Sequence, residues 1–213
     1  MARKLHQIIA LRDCNPSGPE RFLVVGGYGL NQLPLAEAEI YTMGGNFRQT
    51  ATTISPTVAV PTKMTQARVR HAVVCLPNLP GFPQGGVLIS GGIDPTGRVL
   101  DTAEIYDPAT ETFAQLGTRM NSPRADHTMT LLPDGRVLVV GGFDQFGNAL
   151  ASAETYDLTM DLFSYTSTFP GLGRYGHVAV PWKGGAINKD GVLLIGGADS
   201  DGNVLPLVEM FYP

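Results

Sequence analysis

Apolar and polar residues alternate in short runs along much of this chain. Residues 127–132 read HTMTLL, and residues 137–142 read VLVVGG, a β-branched run that stops at two glycines. A Pro-Asp-Gly segment separates the two runs. Alternation with a period of two around such a turn is typical of an antiparallel hairpin. No ten-residue stretch has a clear helical period, so the pattern predicts an all-β chain with essentially no helix.

The run that ends in two glycines occurs four times, and other residues recur around it. A glutamate follows the second glycine by twelve residues in every copy, and an aromatic residue follows that glutamate by two. An Arg-x-x-His segment precedes every glycine pair, beginning at Arg3, Arg68, Arg124 and Arg174. This order predicts an internal repeat. The recurring residues are Gly26, Gly27, Gly91, Gly92, Gly141, Gly142, Gly196 and Gly197, with Glu39, Glu104, Glu154 and Glu209.

Each repeat is predicted to form four short strands. The first strand follows Arg-x-x-His, the second ends at the glycine pair, and an Asp-x-x-Gly turn such as 144–147 leads into the third. The third strand carries the glutamate, and the fourth is centred on Phe113 or Phe163. The connection between the first two strands varies in length, which is typical of loops on one side of a repeat array.

The Arg-led first strand, the double glycine and the Glu-x-Tyr-Asp of the third strand resemble kelch repeats over nearly the whole chain. Residues 104–107 and 154–157 show the last motif most clearly, while Phe113 and Phe163 replace the usual kelch tryptophan. The resemblance implies a single domain over 1–213 that is a kelch-type β-propeller or a propeller segment. Its four blades would cover about 1–50, 66–117, 122–167 and 172–213, with the last blade lacking its outer strand.

Kelch propellers usually contain more than four blades, so three explanations remain open. The chain is a piece of a longer propeller, or two chains complete an eight-bladed ring, or the chain closes as a small ring. An open arc would leave apolar blade faces in water. We therefore expect a protein partner or self-association that completes the propeller.

Composition and charge narrow the classes of partner. The chain is 43% hydrophobic and 16% charged, as expected for a packed core, and its net charge is −4 with scattered Lys and Arg. A basic stripe for nucleic acid is missing from the sequence. No apolar run approaches the roughly 20 residues of a membrane span. The apolar run at residues 7–11 is too short for a signal peptide, which predicts a cytoplasmic protein or an internal part of a larger one.

The repeated residues have structural and functional interpretations. The glycine pairs lack a following helix and predict tight strand ends rather than a phosphate loop. The histidines are interpreted as packed residues rather than metal ligands, so no metal or cofactor is expected. Arg68, Arg124 and Arg174 either form ion pairs with the repeated glutamates or line a channel mouth that binds an anionic ligand.

Aromatic residues in the long connections are candidate partner contacts. Phe82 and Trp182 lie in the insertions between first and second strands, where exposed aromatic side chains often anchor a partner. Their alternative role is packing of each loop onto its own blade. Cys14 and Cys75 either remain free core thiols or form one bridge if their strands are neighbours.

The sequence favours a non-catalytic protein-interaction or scaffold module over an enzyme. The sequence contains no recognisable nucleophile–base pair or paired carboxylates, and the kelch resemblance implies loops that are presented to protein partners. The alternatives implied by the resemblance are a galactose-oxidase-like copper oxidase, a sugar mutarotase or lyase, and an anionic-ligand binder.

Overall fold

The computed structural model describes residues 3–18, 20–42, 46–49, 63–77, 85–166, 171–184 and 190–212, with the backbone alone for 46–49. Among the described residues, strands predominate and helix is almost absent, which confirms the all-β prediction. Four separate antiparallel sheets form, and within each sheet the strands pair in the order in which they follow one another in sequence.

The sheets contain four, four, four and three strands among the described residues. Sheet 1 comprises β1 (Gln7–Ala10), β2 (Arg21–Val25), β3 (Ala38–Thr42) and β4 (Asn46–Gln49). Sheet 2 comprises β5 (Ala72–Leu76), β6 (Gly86–Ser90), β7 (Thr102–Asp107) and β8 (Thr112–Arg119). Sheet 3 comprises β9 (Thr128–Leu131), β10 (Val137–Val140), β11 (Ala153–Asp157) and β12 (Leu162–Tyr165). Sheet 4 comprises β13 (Val178–Trp182), β14 (Gly191–Ile195) and β15 (Val208–Phe211).

The sheets stack face to face in chain order. We call the face of a sheet turned towards the preceding sheet its upstream face, and the opposite one its downstream face. Val137 and Val139 of β10 pack upstream against sheet 2, whereas Leu138 and Val140 pack downstream against sheet 4. Because both faces of the inner sheets are buried, the second strands are apolar throughout instead of alternating.

The fourth strands contribute aromatic residues to this core. Phe113 packs on Tyr106 with ring centroids 4.9 Å apart, and Phe163 packs on Tyr156 at 4.6 Å. All four rings are nearly inaccessible to solvent. The phenylalanines therefore lie in the fourth strands, as predicted, and pack in the core of the sheet stack.

One helical turn departs from the prediction of essentially no helix. The segment α1 (Leu11–Cys14) follows β1 directly, and the N–H of Asn15 donates to the carbonyl of Leu11 at 3.1 Å. Four residues are too few to form a helix by propensity. Burial of Leu11 and Cys14 in the core between sheets 1 and 2 stabilises the turn. In the described part of the chain, no helix has the length and apolar character needed to cross a membrane.

Cys14 and Cys75 form a disulfide, which settles the two alternatives for these residues. The bond joins α1 to β5, so it connects sheet 1 with sheet 2 across a sequence separation of 61 residues. β1, which directly precedes α1, lies beside β5. The two cysteines are therefore on neighbouring segments, as the bridge requires.

Candidate functional site

The repeated arginines and glutamates form ion pairs inside the stack. The guanidinium and carboxylate are 2.8 Å apart in Arg68–Glu104 and 2.6 Å apart in Arg124–Glu154, and none of these four side chains is exposed. The same pairing joins Arg3 to Glu39 at 2.9 Å, and Arg174 to Glu209.

Each arginine also binds the backbone at the glycine pair. Arg124 donates from Nη1 to the carbonyl oxygen of Gly141 at 2.6 Å, and Arg68 donates in the same way to Gly91 at 2.8 Å. Burial lowers the pKa of Arg68, while the nearby Glu104 carboxylate opposes that change. Since the guanidiniums of Arg68, Arg124 and Arg174 are buried and engaged internally, the geometry favours the ion-pair interpretation over anion binding.

The glutamates complete the network by binding the segment that leads into their own repeat. Glu154 accepts hydrogen bonds from the backbone N–H of Asn121 at 2.7 Å and of Ser122 at 3.0 Å. Glu104 accepts equivalent bonds from Thr65 and Gln66. Each carboxylate therefore positions the connection between two sheets, which is a structural role.

The glycine pairs lie where neighbouring sheets approach most closely. Gly91 and Gly92 have φ of 61° and 94°, and a Cβ on Gly91 would lie 2.3 Å from the carbonyl oxygen of Arg124. It would also lie 2.6 Å from Cε1 of His127, the histidine of the next repeat. Only glycine fits both the backbone conformation and the space, in agreement with the structural interpretation of the sequence.

The buried histidines pack into these glycine positions. Nε2 of His127 lies 2.9 Å from Oγ of Ser90, and Nε2 of His177 lies 2.9 Å from Oγ1 of Thr128. Burial lowers the pKa of His71 to about 3 and that of His177 to about 4, and the neighbouring Arg68 and Arg174 add to the effect. These rings are therefore neutral at physiological pH. Within the described ranges, no group of three or more His, Cys, Asp or Glu side chains is arranged to hold a metal ion.

A cleft of about 370 Å³ lies along the first strands, beside these histidines. Its lining includes His71, Asp126, His127 and His177, together with aliphatic side chains of β5, β9 and β13. Asp126 forms an ion pair with Arg70, so the carboxylate is already engaged. The histidine rings contact glycines and hydroxyl groups of the adjacent sheets. Their positions are therefore explained by packing between sheets.

Of the two aromatic residues predicted to contact a partner, the structure describes one. Phe82 lies outside the described residues. Trp182 is the last residue of β13, where it pairs with Gly191 and is 48% exposed. The prediction that Trp182 belongs to a loop was therefore wrong, because the strand extends past Pro181 before the chain turns. Its side chain lies on the downstream face of sheet 4.

The turns between second and third strands form a rigid edge, whereas the sequence predicts them only as connections between strands. We call the turns 94–97, 144–147 and 199–202 the turn edge. In the middle turn, Oδ1 of Asp144 accepts the N–H of Phe146 and of Asn148, both at 2.9 Å. Asp94 and Asp199 make the corresponding bonds. Hydrogen bonds of this kind hold an Asx turn in one conformation.

Neighbouring turns are also joined sideways. Oε1 of Gln145 accepts the N–H of Val99 at 2.7 Å, which links the turns of sheets 3 and 2. Oγ of Ser200 accepts the N–H of Ala149 at 2.8 Å, which links the turns of sheets 4 and 3. Phe146 projects from the middle turn with 87% of its surface exposed. The recurring Asp-x-x-Gly spacing was the sequence signal for this edge.

The chain matches no protein-family model and no curated protein. The geometry of the described residues therefore carries the functional argument. Its main features are the buried ion pairs of the repeated arginines and glutamates and the hydrogen-bonded turn edge.

Proposed function

We propose that this chain is a kelch-type β-propeller or propeller segment that serves as a non-catalytic scaffold and binds a protein partner through its turn edge. One observation carries the proposal: in the three turns of the turn edge, one position holds the same residue and another holds a different residue each time. Asp94, Asp144 and Asp199 brace every turn in the same way. The residue two positions after each aspartate differs and is exposed on the same backbone frame: Thr96, Phe146 and Asp201.

A rigid frame with different exposed side chains suits recognition of a protein surface. Preorganised turns lose little conformational entropy when a partner binds. An exposed aromatic side chain such as Phe146 is a typical anchor for a partner pocket. The propeller interpretation is supported by the four stacked antiparallel sheets and by the repeated Arg, Glu and double-glycine contacts that join them.

The enzyme and anion-binding alternatives have less support. In a galactose-oxidase-like site, a cysteine would have to form a cross-link to tyrosine, but the sulfur of Cys75 is bonded to Cys14. Tyr106 and Tyr156 are buried packing partners of Phe113 and Phe163. The repeated arginines, which were the candidates for an anion site, already neutralise buried glutamates.

Site-specific photo-cross-linking tests the proposed binding edge. Benzoylphenylalanine would replace Phe146 in one sample and Met160 in a matched control, and each would be irradiated in an extract of cells that express the chain. Met160 is 69% exposed and lies in a turn at the opposite edge of the same sheet. We expect a discrete cross-linked protein from position 146 and none from position 160.

Competition makes the assignment specific. An excess of unlabelled wild-type chain should abolish the cross-link, whereas the Phe146→Ala chain should compete at least roughly tenfold less well if the ring is an anchor. Cross-linking from position 160 alone, or equal competition by both chains, would overturn the assignment of the partner to the turn edge.

A further inference from the structure

The three junctions between neighbouring sheets are built from the same contacts. At the junction of sheets 3 and 4, the N–H of Gly142 donates to the carbonyl of Arg174 at 2.8 Å, and the N–H of Arg174 donates to the carbonyl of Leu150 at 3.3 Å. His177 then occupies the space where a Cβ of Gly141 would lie. The other two junctions repeat this pattern with Gly27, Arg68, Leu35, Gly26 and His71, and with Gly92, Arg124, Leu100, Gly91 and His127.

Sheet 4 carries the receiving half of another such junction. Gly196 and Gly197 have φ of 66° and 95°, like the glycines of the occupied junctions. Among the described residues, however, a Cβ on Gly196 would meet only the carbonyl oxygen of Leu205, at 3.8 Å. The N–H of Gly197 and this same carbonyl have no junction partner in the described ranges. The histidine notch is therefore formed but unfilled there.

The downstream face of sheet 4 is apolar across all three strands. Strand register places Val178, Val180 and Trp182 of β13 on this face beside Leu193 and Ile195 of β14, followed by Val208 and Met210 of β15. Val180 is 41% exposed and Val208 is 63% exposed. In sheets 2 and 3, Ala103 and Ala153 occupy the position of Val208 and are no more than 2% exposed. Leu88 and Leu138 occupy the position of the half-buried Leu193 and are completely buried by the next sheet. This contiguous apolar patch has the character of an interface.

Sheet 1 carries the inserting half of the junction. Arg3 binds Glu39 and donates to the carbonyl of Gly26 at 2.9 Å, as the inner arginines do in their own sheets. The residue before the histidine has φ of 53° at Leu5, close to the 56° of Arg70. The 3–6 segment therefore already has the conformation that fills a glycine notch elsewhere. Ile8, Ala10 and Phe22 lie on the apolar upstream face beside it, and Ile8 is 56% exposed, whereas Val24 on the same face is already buried.

We propose that the downstream face of sheet 4 is a docking surface for sheet 1 of a second copy of this chain. His6 of one copy would fill the notch at Gly196 of the other, and Ile8 would pack near Val180. Two copies related by a twofold axis would form two such junctions and close a ring. The inference uses the sheet stacking on which the proposed function also rests. It does not use the turn edge, so either can fail alone.

Native mass measured by light scattering on a sizing column tests the docking. We expect the wild-type chain to form a species of twice the 22.7 kDa chain mass. Val180→Glu on sheet 4 and Ile8→Glu on sheet 1 should each weaken self-association at least roughly tenfold, since each places a charge in the apolar junction. Both residues are exposed in the single chain, so both variants should retain the wild-type circular dichroism spectrum.

Mixing the two variants separates head-to-tail docking from other contacts. The mixture retains one unmodified junction, between sheet 1 of the Val180→Glu chain and sheet 4 of the Ile8→Glu chain. It should therefore recover a one-to-one complex that neither variant forms alone. A contact between two copies of the sheet 4 face would instead be lost in Val180→Glu and retained in Ile8→Glu, which would overturn the proposal.

The unfilled notch provides a second test with a matched control. Gly196→Ala places a methyl group where His6 would enter, whereas Gly202→Ala adds one where nothing lies within 4 Å among the described residues. Both glycines have positive φ, at 66° and 80°, so the backbone cost is similar. We expect dimer loss in Gly196→Ala alone. A monomeric wild-type chain, a series of larger oligomers, or equal behaviour of the two variants would overturn the proposal.

Discussion

The buried arginines hold strands and connections of the sheet stack together, although burial of a charge is unfavourable by itself. Removal of Arg124 and Glu154 from water is unfavourable, but each group makes several further hydrogen bonds. Arg124 donates to the carbonyl oxygens of Gly141 and Ser152, and Glu154 accepts from the segment before β9. One ion pair thereby joins the end of a second strand, a third strand and the connection between sheets.

Replacement of one partner of this pair should destabilise the chain strongly. Arg124→Met leaves the carboxylate of Glu154 buried without its cation, which should lower the free energy of unfolding by about 3–5 kcal/mol. Arg119 pairs with Asp101 but is 54% exposed, so Arg119→Met should cost less than about 1 kcal/mol. Urea denaturation of both variants measures the difference. Similar losses for the two would contradict a framework role for the buried pair.

The buried histidines make the fold sensitive to acid. Burial holds the pKa of His177 at about 4 in the folded chain, below the ordinary value of 6.5. Below pH 6.5 the unfolded chain therefore binds more protons than the folded chain. The contribution of this neutral histidine to the free energy of unfolding is fully present near pH 7. It decreases as the pH falls from 6.5 towards 4, by about 1.4 kcal/mol per pH unit for each such histidine. His71 and His127 are shifted in the same direction.

His177→Gln should flatten this pH dependence. Glutamine keeps a polar group near Thr128 but does not titrate. The variant therefore takes up one proton fewer than the wild-type chain when it unfolds in acid. We expect the slope of the unfolding free energy between pH 6.5 and 4 to decrease by about one proton equivalent. Urea denaturation at several pH values gives the slope independently of any constant loss of stability. An unchanged slope would show that His177 does not contribute.

At the level of elements, the disulfide secures the first sheet to the second. Sheet 1 has a sheet neighbour on its downstream side, through a core that includes Leu23, Ile40 and Ile89. The Cys14–Cys75 bond connects α1 to β5 at this same interface. It limits the freedom of the unfolded chain across its sequence separation of 61 residues.

Reduction of this bond should therefore lower the stability of the folded chain. Loop-closure entropy for a separation of 61 residues corresponds to about 4 kcal/mol. Denaturation with and without dithiothreitol measures the effect, and the Cys14→Ser/Cys75→Ser chain serves as a control that the reductant should not affect. Equal stability of the oxidised and reduced wild-type chain would contradict the expectation.

At the scale of the whole molecule, burial is unequal among the sheets. Sheets 2 and 3 lie between two neighbours, and residues such as Leu88 and Leu138 are completely buried. Sheet 4 has a described neighbour only on its upstream face, and the burial of β13 is low along its length. Opening of local structure is easiest where few apolar contacts must be broken.

Hydrogen exchange should reveal this difference between equivalent strands. In the Ile8→Glu chain, which removes the proposed self-docking, amides of β13 (Val178–Trp182) should exchange at least roughly tenfold faster than those of β9 (Thr128–Leu131). Both are first strands of their sheets, so their hydrogen-bonding positions correspond. Mass spectrometry of peptic peptides gives the rates. Equal protection would indicate that all sheets open together.

Several features of the structure could be predicted from the sequence, because short-range patterns carried them. The β-branched runs and glycine pairs located the second strands, and the constant spacing to Glu104 and Glu154 located the third. The turn α1 and the strand position of Trp182 could not be predicted. Burial against neighbouring sheets formed the first, and pairing with Gly191 extended β13 to include the second.

The sequence by itself determined the all-β class, the four repeats and the residue types at each repeated position. Alternation, turn chemistry and fixed spacing are local properties that can be seen in one dimension. Only the tertiary structure decided that each arginine pairs with the glutamate of its own sheet, while each histidine enters the glycine notch of the preceding one. Tertiary structure also left the downstream face of sheet 4 open among the described residues. These contacts form between residues that are far apart in sequence and meet only when the sheets pack on one another. No single segment of the sequence specifies them.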